Sequence, residues 1–142
     1  MCVTMKMMNA NYTIVKDYNL LVQKYTGVFC FTEFFEYLKK ATADPDWKIV
    51  NKIITDLRDI NLDAFYNDMD NFVKYRKENI KNSYVNVFIV NSPLSTAVIH
   101  LYKEKLNSKK YRYEYCSTIK YTLALLGLED KQEEIESIIE KL

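Results

Sequence analysis

Glycine and proline are almost missing from this chain, with two of each in 142 residues. The shortage of glycine has a direct chemical consequence. Loops that cradle phosphate need glycine where backbone N–H groups crowd around the anion, and Gly27 and Gly127 are too few and too far apart to write a P-loop or a GxGxxG turn. The GxSxG elbow, the HExxH zinc motif, the CxxC knuckle and the EF-hand loop are absent as well. These gaps argue against a conventional nucleotide, zinc or hydrolase site. The candidate catalytic set is therefore empty, and no cofactor or metal is expected. The single histidine, His100, lies mid-helix by periodicity with no nucleophile or carboxylate spaced beside it. It reads as a structural or exposed residue rather than a general base.

Charge of one sign is also lacking, the formal net charge being +1. No whole-molecule field favours nucleic acid or an anionic membrane. The three cysteines, Cys2, Cys30 and Cys116, suit neither a disulfide framework nor a metal knuckle. A reducing cytoplasmic setting is expected, with Cys30 and Cys116 as inert core thiols. No apolar run approaches the roughly 20 residues of a membrane span, and the one at Met1–Met8 is too short for a signal peptide. Residues 1–11 are expected to form a loosely packed tail before a single domain over 12–142.

Apolar pattern is plentiful. Hydrophobic residues make up 49% of the chain, enough for a sizeable core without covalent staples. Alternation predicts a strand over residues 12–16, a turn at Asp17-Tyr18-Asn19 and a second strand from Leu20, together a hairpin. Thr32 reads as the cap of a helix over 33–42 with Phe34, Phe35, Leu38 and Ala41 on one face, stopped by Asp44-Pro45-Asp46. Ile53, Ile54 and Leu57 mark a strand covered on both faces. One long helix is expected next, over about 62–80, its stripe being Leu62, Phe65, Met69, Phe72, Val73 and Ile80. Residues 84–90 form the clearest strand. Ser92 and Pro93 open a helix whose buried stripe is expected to be Leu94, Ala97, Val98, Leu101 and Leu106. Residues 110–116 alternate as an edge strand, Ser117 caps a further helix that Gly127 stops, and a last helix carries Ile135, Ile138, Ile139 and Leu142. The order implies an α/β fold: a mostly parallel, mixed sheet of about five strands, with the first strand antiparallel at one side.

The residues leaving the third strand carry the most polar chemistry. Asp56, Arg58, Asp59 and Asp63 sit where open α/β sheets bind their ligands. They suit a partner-binding rim, joined by Asn91 and Ser92 beyond the fourth strand. The plainer reading is that Arg58 pairs with a carboxylate while the others cap a turn and a helix. The twelve tyrosines invite a nucleic-acid reading at Tyr111, Tyr113 and Tyr115, but no RNP-type motif accompanies them. Packing in the core or against a partner is the simpler account, and no nucleic acid is expected.

From Tyr12 to Gly127 the chain resembles the STAS superfamily, in its SpoIIAA-like branch. The resemblance is carried by Gly27 with Thr32, Asp44-Pro45, Asp56-Leu57-Arg58 and Leu125-Leu126-Gly127. It implies a SpoIIAA-like fold and a regulatory or protein-interaction module rather than an enzyme, with a protein partner or a second copy of the chain. In anti-sigma-factor antagonists of this superfamily a serine after the third strand accepts phosphate. The matching place is Asp63-Ala64-Phe65, where Ala64 offers no hydroxyl, so no phosphorylation site is implied. A likeness in fold to lipid-exchanging CRAL-TRIO domains implies an alternative: a carrier or sensor of a small apolar ligand in a pocket lined by Phe65, Met69 and Phe72.

Overall fold

A computed structural model describes residues 8–106 and 109–142. Five strands form one mixed sheet in chain order: β1 (Met8–Val15), β2 (Leu20–Val28), β3 (Lys52–Asn61), β4 (Tyr84–Ile89) and β5 (Tyr111–Cys116). β1 pairs antiparallel with β2, and the remaining neighbours are parallel. This is the α/β architecture that the hydrophobic pattern implied. β1 begins earlier than the alternation suggested, because Met8 is itself buried and its N–H reaches Glu33 at 3.3 Å. Residues 8–11 of the expected tail are therefore strand, and residues 1–7 lie outside the described residues.

Among the described residues six α-helices cover the sheet. α1 (Phe31–Ala43), α2 (Asp63–Asn67), α3 (Met69–Asn79) and α4 (Pro93–Leu106) close one face, where Phe34, Leu38, Phe65, Phe72 and Tyr102 meet Leu21, Ile53, Leu57 and Phe88. α5 (Ile119–Leu126) and α6 (Gln132–Lys141) close the other, packing Leu123, Ile135 and Ile139 on Leu20, Val22, Ile54, Val87 and Ile89. Strand residues alternate between the two faces, so β3 sends Ile53, Thr55 and Leu57 one way and Ile54 and Asp56 the other. Coverage on both faces is why β3 and β4 read as nearly continuous apolar runs.

Several local expectations are corrected. α1 starts at Phe31 with no side-chain cap, and Thr32 is exposed inside its first turn. Thr118, not Ser117, caps α5, its Oγ1 accepting the Tyr121 N–H at 3.1 Å. The expected long helix is two helices parted at Asp68 (φ −112°, ψ 17°). Asn67 and Asp68 form that junction, and their short polar side chains compete for backbone hydrogen bonds, which weakens helix at this point. The apolar stripe survives the break: Leu62, Phe65, Met69, Phe72 and Ile80 are all buried. Cys116 is a free, partly buried thiol, whereas Cys30 is buried and not free.

α4 departs furthest from expectation. Its buried residues are Ser95, Val98, Ile99, Tyr102 and Leu106. Leu94 and Leu101 are 56% and 42% exposed, and Ala97 is exposed with them. Apolar residues spread well beyond one stripe of the helix, leaving Thr96, His100, Lys103 and Glu104 as its polar face, so periodicity could not tell the buried stripe from the outward one.

Candidate functional site

Two constellations stand out, one at the strand ends and one beneath the helices. The first is the carboxyl-end rim of β3 and β4. β3 runs five residues past its pairing with β4, which ends at Asp56↔Ile89, and continues alongside β2 as far as Asn61. Asp56 itself is buried. Its Oδ1 accepts from the Arg58 Nε and its Oδ2 from the Arg58 Nη2, both at 2.9 Å, and Oδ1 also takes the Arg58 backbone N–H at 3.1 Å. The bond to Asp56 raises the Arg58 guanidinium further above its already high pKa. Asp56 and Arg58 thus satisfy each other in a fixed geometry where β3 passes beyond the end of β4.

Asp59 and Asp63 are exposed beyond that pair. The Asn61 Oδ1 accepts the Asp63 N–H at 2.9 Å, which turns the chain into α2, where Ala64 is half-buried. Asn91 is exposed after β4, and the Ser92 Oγ accepts the Ser95 N–H at 3.1 Å to cap α4. The six rim residues therefore share one end of the sheet but divide in role: Asp56, Arg58 and Ser92 are committed to structure, while Asp59, Asp63 and Asn91 face outward. No ion pair among the described residues involves Asp59 or Asp63.

Beside Asn91 and Ser92 runs an open groove lined by Pro93, Ala97, His100, Leu101 and Tyr115. His100 is exposed; its Nδ1 lies 3.0 Å from the Tyr115 hydroxyl and its Nε2 3.6 Å from Glu104. Neither neighbour is a nucleophile poised for attack.

The second constellation was missed from the sequence. Arg76, on α3, is 4% exposed. Its Nη1 donates to the Tyr84 hydroxyl at 2.8 Å, and Tyr84 and Tyr113 share a 2.6 Å hydrogen bond. The guanidinium lies 5.2 Å from the Phe72 ring centroid. No ion pair among the described residues includes it. Beside it, a buried chain crosses the sheet: the Tyr37 hydroxyl donates to Gln23, Gln23 Nε2 to Thr55 Oγ1 at 2.8 Å, and Thr55 Oγ1 to Asn86 Oδ1 at 2.8 Å. Burial raises the hydroxyl pKa values of Tyr25, Tyr37, Tyr102 and Tyr113, so these phenols are neutral near pH 7. The sequence held a signal for Arg76. It falls four residues from both Phe72 and Ile80, on the apolar stripe itself, where a charge is out of place.

A small enclosed space of about 20 Å³ lies between these groups. Phe65 and Phe72 line it, whereas Met69 is buried but does not. The volume accommodates roughly one water, for which about 10–15 Å³ is enough.

No protein-family model matches the chain, and no curated protein matches it. The fold defines the class, which is a SpoIIAA-like α/β domain. Among solved structures the chain is similar to an uncharacterised protein of the DUF3478 family with a SpoIIAA-like fold, from Shewanella loihica PV-4. Identity is 15% and the TM-score 0.53, over 89% of this chain and 98% of that one. At that identity the likeness shows the fold alone. Among the described residues no helix is long and apolar enough to cross a membrane, and no group of three or more His, Cys, Asp or Glu could hold a metal ion.

Proposed function

We propose that this chain is a regulatory, protein-interaction module of SpoIIAA-like fold acting in the cytoplasm, and that it docks a protein segment along the outward face of α4. The observation that carries the reading is the exposure of Leu94 and Leu101, with Ala97 between them, on a helix whose opposite face already supplies the core. Spacings of three and four residues place all three on one strip. That strip borders the carboxyl ends of the strands, the end at which open α/β sheets present their binding surfaces. Asp59 and Asp63 stand exposed at the same end. The occupant that fits is therefore an apolar segment bearing basic side chains, supplied by another protein.

The test pairs wild type with Leu94→Asp/Leu101→Asp, a variant that adds charge only at exposed positions. The reading stands if wild type retains a host protein that the variant loses, if the purified pair binds more weakly as salt rises, and if the variant melts within a few degrees of wild type. Retention of the same protein by both forms overturns the placement. A wild-type dimer that the variant converts to monomer would make a second copy the occupant. The alternative reading, a carrier of a lipid-like ligand under Phe65 and Phe72, needs the 20 Å³ space to open many-fold.

A further inference from the structure

We propose that the cavity beneath α2 and α3 binds a small monocarboxylate with an apolar tail, its carboxylate received by Arg76, Tyr25 and Tyr102. The site is separate from the α4 face. Among the described residues, four buried side-chain atoms find no hydrogen-bond partner of normal geometry: Arg76 Nε, Tyr25 OH, Tyr102 OH and Asn86 Nδ2. Arg76, Tyr25 and Tyr102 line the one cavity. A native core leaves only a few such groups, and each needs a reason; three of these converge on one space.

The chemistry of these orphans selects the missing group. The Arg76 Nε carries a hydrogen and can only donate, and the two phenols are free to donate, so the absent group is an acceptor. A guanidinium stays charged when buried, and no carboxylate answers Arg76 among the described residues. The residues outside the description, 1–7 and 107–108, contain no Asp or Glu. Burial keeps the Tyr25, Tyr102 and Tyr113 phenols neutral. The counter-charge is thus not a side chain of this protein, and an anion supplied from outside would meet it. A single cation calls for a monoanion; a phosphate dianion would bring a second charge with nothing to oppose it.

The remaining walls say what the anion is attached to. Phe29, Phe34, Phe65, Phe72 and Phe88 surround the space, and aromatic edges and faces hold an apolar tail well but a hydrated ion poorly. One water, with two lone pairs, would answer two of the three donors and none of the charge. The open volume takes about one water and not a whole carboxylate, so head and tail together displace the α2–α3 cover, whose two helices are joined through the non-helical Asp68. Tail length is therefore a variable the experiment must scan.

The experiment is isothermal titration and thermal melting of the whole chain with acetate, butyrate, hexanoate and benzoate. Butyramide, hexanamide and benzamide serve as neutral matches, and sodium chloride as the ionic-strength control. The expected result is binding by at least one acid, at least about tenfold tighter than its amide, since a charge-assisted hydrogen bond contributes about that much or more. Arg76→Met abolishes the preference for acid over amide. Tyr102→Phe, which keeps the ring and removes one donor, weakens the acid severalfold and leaves the amide unchanged. An aliphatic or aromatic optimum in the series identifies the tail. The proposal is overturned if no acid binds at 10 mM (roughly the weakest affinity of interest), if acid and amide bind alike, if chloride gives the same stabilisation, or if Arg76→Met binds as wild type does.

Discussion

Arg58 grips Asp56 through two parallel hydrogen bonds of 2.9 Å, and the carboxylate it holds is only 1% exposed. The two residues leave β3 on the same side, two positions apart, as a strand requires for side chains that must meet. The arginine of the candidate binding rim is thereby committed to a buried anion, in keeping with its plainer reading. Arg58→Glu should destabilise the domain by about 2 kcal/mol or more, because it removes the partner of a buried charge and adds a like one. The Arg58 side chain is partly solvated, which keeps the loss below that of a fully buried pair. Urea unfolding measures it directly, and an unmoved midpoint would show that Asp56 does not depend on Arg58.

Thr55 is the middle of the buried chain across β2, β3 and β4. It accepts from Gln23 and donates to Asn86, and it is fully buried. Thr55→Val keeps the shape and deletes both bonds, leaving two amides unanswered in a dry place. A loss of about 2–4 kcal/mol is expected, the sum of two buried unsatisfied groups. Thermal unfolding of Thr55→Val beside Thr55→Ser separates the polar effect from the packing effect: serine should recover most of the loss.

Gly127 ends α5 with φ +71°, its N–H returning to Ala124 and the following Leu128 N–H to Leu123. A Cβ there meets nothing within 4 Å, so the cost of a side chain is purely one of backbone conformation. Gly127→Ala should lose about 1 kcal/mol, or a few degrees in Tm for a chain of this size. Gly127→Asn should lose less, since asparagine tolerates the left-handed region.

How much of this was legible follows from which physical rule governs each residue. Strand order and hairpin were readable because alternation and near-continuous apolar runs report burial on one face or two, as in Tyr111–Cys116 and Ile53–Leu57. The break at Asp68 was not, because the stripe from Leu62 to Ile80 keeps its register through the interruption. On α4, Leu94 and Ile99 are equally apolar, and only the packed sheet decides which is inside. Of the rim residues, proximity at one end of the sheet was readable from topology. The burial of Asp56 was not, since it depends on Arg58 folding back over its own strand. Arg76 was hidden by its type: a charged residue is assigned to the wet face by default, although its spacing places it on the stripe.

The Tyr12–Asp44 contact makes stability depend on pH in a stated direction. The Asp44 carboxylate accepts the Asp46 N–H at 2.9 Å and the Tyr12 hydroxyl at 2.8 Å. These bonds, the backbone one first, hold its pKa below the usual carboxylate value of 3.8. A depressed carboxylate contributes stability that is present above its unfolded pKa and disappears as pH falls from there through the folded one. Asp44→Asn should therefore flatten the acid limb below about pH 4 in a plot of unfolding midpoint against pH. Tyr12, raised by burial and then by Asp44, loses its share in the opposite direction, as pH rises past 10. Parallel acid limbs for wild type and Asp44→Asn would assign the acid sensitivity to other carboxylates.

Arg76→Met provides the sharpest contrast between a residue kept for stability and one kept for binding. Among the described residues the buried guanidinium makes one neutral hydrogen bond, to Tyr84, and meets two aromatic faces at 5.2 and 6.0 Å. Those contacts do not replace the hydration lost by a full charge. Methionine fills a similar space on the stripe between Phe72 and Ile80, and Tyr84 keeps its bond to Tyr113. Replacing buried charge by a well-packed apolar side chain is often neutral or stabilising by about 1–4 kcal/mol. Arg76→Met should therefore unfold at equal or higher urea concentration than wild type when no carboxylate is present, and the order should reverse when a tight-binding acid is added, because ligand stabilises only the form that binds it. A large destabilisation without ligand would instead make Arg76 a structural anchor of the tyrosine cluster.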